Sequence, residues 1–123
     1  RFIATPEAQA VPGYKERILD SAEDGTLITR AYTGKTCRVL RTAYATAFEA
    51  AGGVAEPFPM QFIRSLEDGA NHLGGDEHTA GVDPDREFMP AGQAIGAIDT
   101  LVPAGDLVRS IVAEAEAVIS RLG

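Results

Sequence analysis

Arg1-Phe2-Ile3-Ala4-Thr5-Pro6-Glu7 is the stretch on which the fold turns. A short apolar run ending on a threonine, with proline and glutamate next, predicts a buried strand running into a helix cap. A strand of that kind needs partner strands, because its backbone N–H and C=O groups otherwise go unpaired. The residues that follow offer almost none. Tyr14, Ile18, Leu19 and Ala22 recur at helical spacing, and Asp24-Gly25 closes that segment. Thr26 to Arg30 is a brief strand or an extended connector, and Gly34 marks a turn. Val39, Leu40, Ala43, Tyr44, Ala47, Phe48 and Ala51 then predict a helix, ended by Gly52-Gly53. Pro57-Phe58-Pro59 leads into another helix carrying Phe62, Ile63, Leu66, Ala70 and Leu73. From Gly74 to Pro90 the composition shifts to Gly, Asp, Glu, His and Pro, which predicts a long exposed loop. Ala91 to Leu101 reads as a small-residue helix or turn. The last helix is the clearest, with Leu107, Val108, Ile111, Val112, Ala115, Val118, Ile119 and Leu122 on one face.

That pattern sets four or five helices against one or two strands. Either the chain is all-helical with Arg1–Ala4 as a tail, or its sheet lies mostly elsewhere. The second reading is preferred: an α/β class, with these residues as the C-terminal piece of a larger enzyme. The chemistry is then expected upstream of Arg1, and no catalytic residue is expected within the segment.

Composition narrows the function classes. At 123 residues, 45% apolar and 24% charged, the chain can bury a core and is too apolar for disorder. Its formal net charge of -7 and lack of a Lys/Arg block argue against nucleic-acid binding, which needs a concentrated basic face. A single cysteine, Cys37, cannot close an internal disulfide, so nothing points to an oxidising compartment. No apolar stretch approaches the roughly 18 residues of a membrane span. A cytoplasmic location without membrane contact is expected.

Five places invite a chemical reading. Parallel α/β barrels carry their active sites at the C-terminal ends of strands, which draws attention to Arg1–Glu7; the plain alternative is an edge strand with a capped helix. In Pro90-Ala91-Gly92-Gln93-Ala94-Ile95-Gly96, small residues let a backbone approach a ligand, and Gln93 supplies a donor and an acceptor. Tight packing through Gly92 and Gly96 explains the same composition, and the glycine spacing is not that of a dinucleotide loop. His72, Asp76, Glu77 and His78 fall close together, but their spacing matches no standard ligand pair, so a solvated loop is the better reading and no metal is expected. Gly34-Lys35-Thr36 lacks the upstream glycine of a phosphate loop, since position 29 is Thr29. Cys37, between Lys35 and Arg38, has no adjacent base and reads as a small buried hydrophobe.

Taken in order, these blocks resemble the nitronate monooxygenases, formerly 2-nitropropane dioxygenases. Arg1-Phe2-Ile3-Ala4-Thr5-Pro6-Glu7 with Tyr14-Lys15-Glu16 is similar to the stretch after the family's last barrel strand, which reads Gly-Thr-Arg-Phe-x-Ala-Thr-x-Glu. Thr29-Arg30-Ala31-Tyr32-Thr33-Gly34-Lys35, with Arg38-Val39-Leu40-Arg41, resembles the next block. Ala91-Gly92-Gln93 and then Gly96 resemble the late Ala-Gly-Gln motif, followed by the terminal helix.

The resemblance implies an FMN-dependent TIM (β/α)8 barrel with a mostly helical inserted subdomain. Residues 1–123 would be its C-terminal segment: last barrel strand, helical subdomain and terminal helix. It implies FMN as cofactor, with Gly92 and Gln93 approaching the flavin and Arg1 and Phe2 flanking the phosphate loop. The implied activity is oxidation of alkyl nitronates with oxygen. The same superfamily holds NAD(P)H-dependent flavin reductases of enoyl thioesters and quinones, which is the alternative. Implied partners are a small-molecule substrate, NAD(P)H in the second case, and the N-terminal remainder of the barrel. Outside the resemblance, two rivals stay open: a self-contained helical interaction module, and a purely structural cover for the barrel.

Overall fold

A computed structural model describes all residues from Arg1 to Gly123. Its only sheet is a ribbon of two antiparallel strands, β1 (Thr26–Thr29) and β2 (Cys37–Leu40). Thr26 pairs with Leu40 and Thr29 with Cys37. Threonine, isoleucine, leucine and valine suit a pleated, half-buried surface, which favours strand over connector here. The turn between them needs Gly34, whose φ of 77° lies in the left-handed region and whose missing Cβ leaves room for the Glu56 carbonyl. Met89–Ala91 runs along the free edge of β2: Leu40 N–H donates to Met89 O at 2.9 Å and Ala91 N–H to Arg38 O at 3.2 Å.

Val39 and Leu40 therefore belong to β2, not to the helix that their spacing predicts. That helix, α2 (Ala43–Ala50), begins only after Thr42, whose hydroxyl accepts the Ala45 N–H at 3.1 Å. The next helix, α3 (Met60–Glu67), also departs from the apolar reading, since Gln61 and Ser65 are its buried residues while Ile63 and Leu66 stay exposed. The reason is local. Gln61 Nε2 donates to Ala31 O at 2.7 Å and Ser65 Oγ to Tyr32 O at 2.8 Å, which satisfies buried carbonyls of the β1–β2 turn. The helix stops at Glu67, before Gly69 with its φ of 65°, so Ala70 and Leu73 lie beyond it.

Phe2–Ala4 forms a single 3-10 turn and not the expected strand. No strand of the chain lies beside it, so its backbone closes on itself through Ala4 N–H to Arg1 O at 3.0 Å. Thr5 Oγ1 donates to Phe2 O at 2.8 Å and so caps no helix. The first helix, α1 (Tyr14–Leu19), starts only after Gly13.

Two adjoining cores result. One gathers Ala4, Val11, Tyr14, Ile18, Leu40, Met89 and Ile95; the other gathers Ala31, Tyr32, Val39, Ala45 and Ala70. The long loop before Pro90 is less exposed than its composition predicts, because Glu87 and Met89 are fully buried in it. The terminal helix α4 (Ala104–Leu122) buries Leu107 alone, and Val108, Val112, Ile119 and Leu122 face outward. No helix is long and apolar enough to cross a membrane.

Candidate functional site

Arg1 and Gly92 line one hollow of about 150 Å³, together with Ile3, Pro90, Ala91 and Ile98. Two side chains from one end of α1 hold its two lips. The Tyr14 hydroxyl donates to the Pro90 carbonyl, and Lys15 Nζ donates to Thr5 O at 2.7 Å and Pro6 O at 3.4 Å. Burial pushes the Tyr14 phenol up to about 12, so it keeps its proton and donates throughout the neutral range. The Pro90 lip is fixed further by the Ala91–Arg38 hydrogen bond to β2. Tyr14-Lys15 thus ties the start of the chain to its late glycine motif. The pair was visible as an adjacent Tyr-Lys, but spacing alone carries no sign that the two side chains reach in different directions.

Gly92 and Gly96 part company. A Cβ on Gly96 would sit 2.8 Å from Glu23 N, so close packing against the Asp24-Gly25 turn accounts for that glycine. A Cβ on Gly92 would meet nothing within 4 Å, and its φ of -88° suits any residue. Neither conformation nor packing within this chain demands glycine there. Gln93 and Phe2 do not line the hollow: Gln93 is exposed and its side chain free of hydrogen bonds, and Phe2 is 51% exposed. Arg1 forms no ion pair within the chain. The structure therefore brings Arg1 and Gly92 together and leaves Phe2 and Gln93 as exposed neighbours of the same edge.

The histidine–carboxylate group does not converge. His72 Nδ1 lies 2.5 Å from Glu87 Oε2, and Glu87 Oε1 accepts the His72 N–H at 2.9 Å. Glu87 is the residue that sequence reading missed, since it sits fifteen positions away in a segment whose composition predicts an exposed loop. His78 remains exposed, 3.8 Å from Glu77, and no three metal-ligating side chains meet. Burial pushes the Cys37 thiol up, which disfavours the thiolate and any nucleophilic role. Lys35 packs over the Phe58 ring, 4.3 Å from its centroid, rather than presenting a phosphate site.

By fold the molecule is a helix-rich α/β chain with a small antiparallel ribbon. The family model for nitronate monooxygenase matches residues 1–114, and the chain belongs to that family. Among solved structures, FabK from Thermotoga maritima is similar with a TM-score of 0.74 and 28% identity, covering 99% of this chain and 37% of that one. Its M276A mutant is similar at 0.65 and 26%, with 99% and 33% covered. The chain thus spans little more than a third of FabK's length. No curated protein matches it.

Proposed function

We propose that this chain is the C-terminal part of an FMN-dependent oxidoreductase of the nitronate monooxygenase type, in which the N-terminal remainder completes a TIM barrel. The observation that carries the reading is the meeting of Arg1 and Gly92 in one hollow, in a chain of this family. The hollow fits one edge of the cofactor and not the whole, because complete ligand sites measure roughly 300–1,000 Å³ and this one about 150 Å³. FMN when bound supplies the electron-transfer chemistry.

This chain's residues bind and orient. Arg1, lacking a carboxylate partner, attracts a phosphate. Gly92 leaves space for close approach of a flat ring, Gln93 offers a donor and an acceptor at its rim, and Phe2 gives an apolar flank. Tyr14 and Lys15 are positioning residues, since they hold the carbonyls of Pro90 and Thr5. A cytoplasmic setting suits a flavoenzyme with a lone half-buried cysteine.

The likeness to FabK over 99% of the chain favours a second reading, an NAD(P)H-dependent reductase of an enoyl thioester or quinone. An absorbance spectrum of the protein carrying this chain separates the alternatives. Flavin bands that survive desalting, with the released flavin identified as FMN by mass, support the flavoenzyme. Anaerobic bleaching by propyl-2-nitronate then supports nitronate oxidation; bleaching by NADH or NADPH alone supports the reductase. A colourless protein that melts cooperatively with added FMN overturns both and leaves the helical interaction module.

A further inference from the structure

The largest hollow in the molecule lies elsewhere. It is a groove between α2 and α3 of about 660 Å³, and it shares no residue with the Arg1–Gly92 hollow. That volume falls within the range of small-molecule sites. Ala43 and Ala47 keep the α2 wall low, and between them Tyr44 and Phe48 supply aromatic surface.

Its two arginines differ. Arg64 donates through Nε and Nη2 to Glu56 Oε2 and Oε1 at 3.2 and 3.4 Å, so its charge is already met. Arg86 instead donates Nη2 to the neutral main-chain oxygen of Asp68 at 3.0 Å and lies 5.2 Å from the centroid of the Tyr44 ring. It forms no ion pair. The carboxylate of Asp68 accepts the Tyr44 hydroxyl at 2.9 Å, and burial beside it pushes that phenol well above its ordinary range. One cation is therefore held in place, with most of its N–H donors unspent, at the edge of an aromatic wall.

We infer that this groove is a binding site for a monoanionic aromatic acid, its ring against Tyr44 and Phe48 and its carboxylate on Arg86. Glu56 and Asp68 line the same groove and repel a second negative charge, which disfavours polyphosphates. An aliphatic acid leaves the aromatic wall without a stacking partner.

Calorimetric titration of the protein carrying this chain with 2-naphthoate tests the assignment. Arg86→Gln should weaken binding about tenfold and Arg64→Gln less than threefold, because only Arg86 has charge to spare. Neutral 2-naphthamide should bind the unaltered protein about tenfold more weakly than the acid does. Ala47→Leu, on an exposed helix position that a leucine suits, should fill the groove and abolish binding while melting temperature and flavin retention stay unchanged. That variant keeps the groove separate from the cofactor reading, which fails only if flavin is absent. Equal affinity in Arg86→Gln and the unaltered protein overturns the site, as does equal affinity for acid and amide. Absence of binding at millimolar naphthoate overturns it too, and so does a dimer, seen by ultracentrifugation, that Ala47→Leu dissociates.

Discussion

The half of the molecule around Tyr32 and the half around Arg1 spend their apolar residues in opposite ways. Around Tyr32 the interior closes, while the Tyr44–Phe48 groove and Ile63 and Leu66 of α3 stay open on its outer side. The ring is fully buried, stacks on Phe88 at 4.9 Å between centroids, and its hydroxyl meets Thr42 Oγ1 at 2.8 Å. Gln61 and Ser65 are drawn in to pair carbonyls. Around Arg1 apolar surface stays open: Phe2, Ile3, Leu101 and the outer face of α4 are all exposed. A set of residues that hides polar groups inside and leaves hydrophobic ones outside has two different jobs. One half builds its interior on satisfied polar groups, and the other leaves the apolar face of α4 open.

The contrast is broken most severely at its centre. Tyr32→Ala should cost about 4 kcal/mol, through the lost ring and the cavity left behind, and urea denaturation would register it as a lower midpoint. Glu87→Ala comes next, at about 3 kcal/mol by the same measurement, because it strands the His72 main-chain N–H and imidazole beside a buried void. Alkaline pH compares the two halves directly. Burial raises the Tyr14 and Tyr32 phenols from an ordinary 10.0 to about 12. A raised folded value means that this stability is whole below pH 10 and is lost as pH climbs through about 12. Melting temperature should therefore fall across that window, and either Tyr14→Phe or Tyr32→Phe should shallow the fall. The smallest effect belongs to the open half: Ile119→Glu, 69% exposed in the parent, should change the stability of the isolated chain by no more than about 0.5 kcal/mol. A large loss there in the purified chain would mean that the α4 face is already covered.

Helix spacing was legible where side chains alone decide the matter. Leu107 to Leu122 form one long helix as their period requires, and Ala43 to Ala50 form another. It misled where backbone groups decide. Val39 and Leu40 fit a helical stripe but are claimed by pairing with Thr26 and Leu27, a contact across a turn that no local window contains. The inward face of α3 is set by carbonyls of Ala31 and Tyr32, thirty residues away, so its apolar residues point out. Arg1–Ala4 reads as strand only if a partner exists, and within this chain none does. At the candidate site, Gly92 and Arg1 were legible as small and charged residues in motif-like runs. That they share a hollow rests on Tyr14 reaching Pro90 across 76 positions, which sequence spacing cannot reveal.

The strip Phe88–Ala91 carries a consequence for how the chain breathes. Of 63 backbone hydrogen bonds, 30 lie outside regular helices and strands, and several converge here: Phe88 N–H on Ala70 O, Leu40 N–H on Met89 O, Ala91 N–H on Arg38 O. A segment drawn as coil is thus laced to both cores, and opening it means parting them. In deuterated water its amides should exchange with the slowest of the protein, while those along the free outer turns of α4 go early. The late glycine motif then hangs from a segment tied to both cores. Whatever docks at Gly92 meets a lip already braced by main-chain bonds on one side and a phenol on the other.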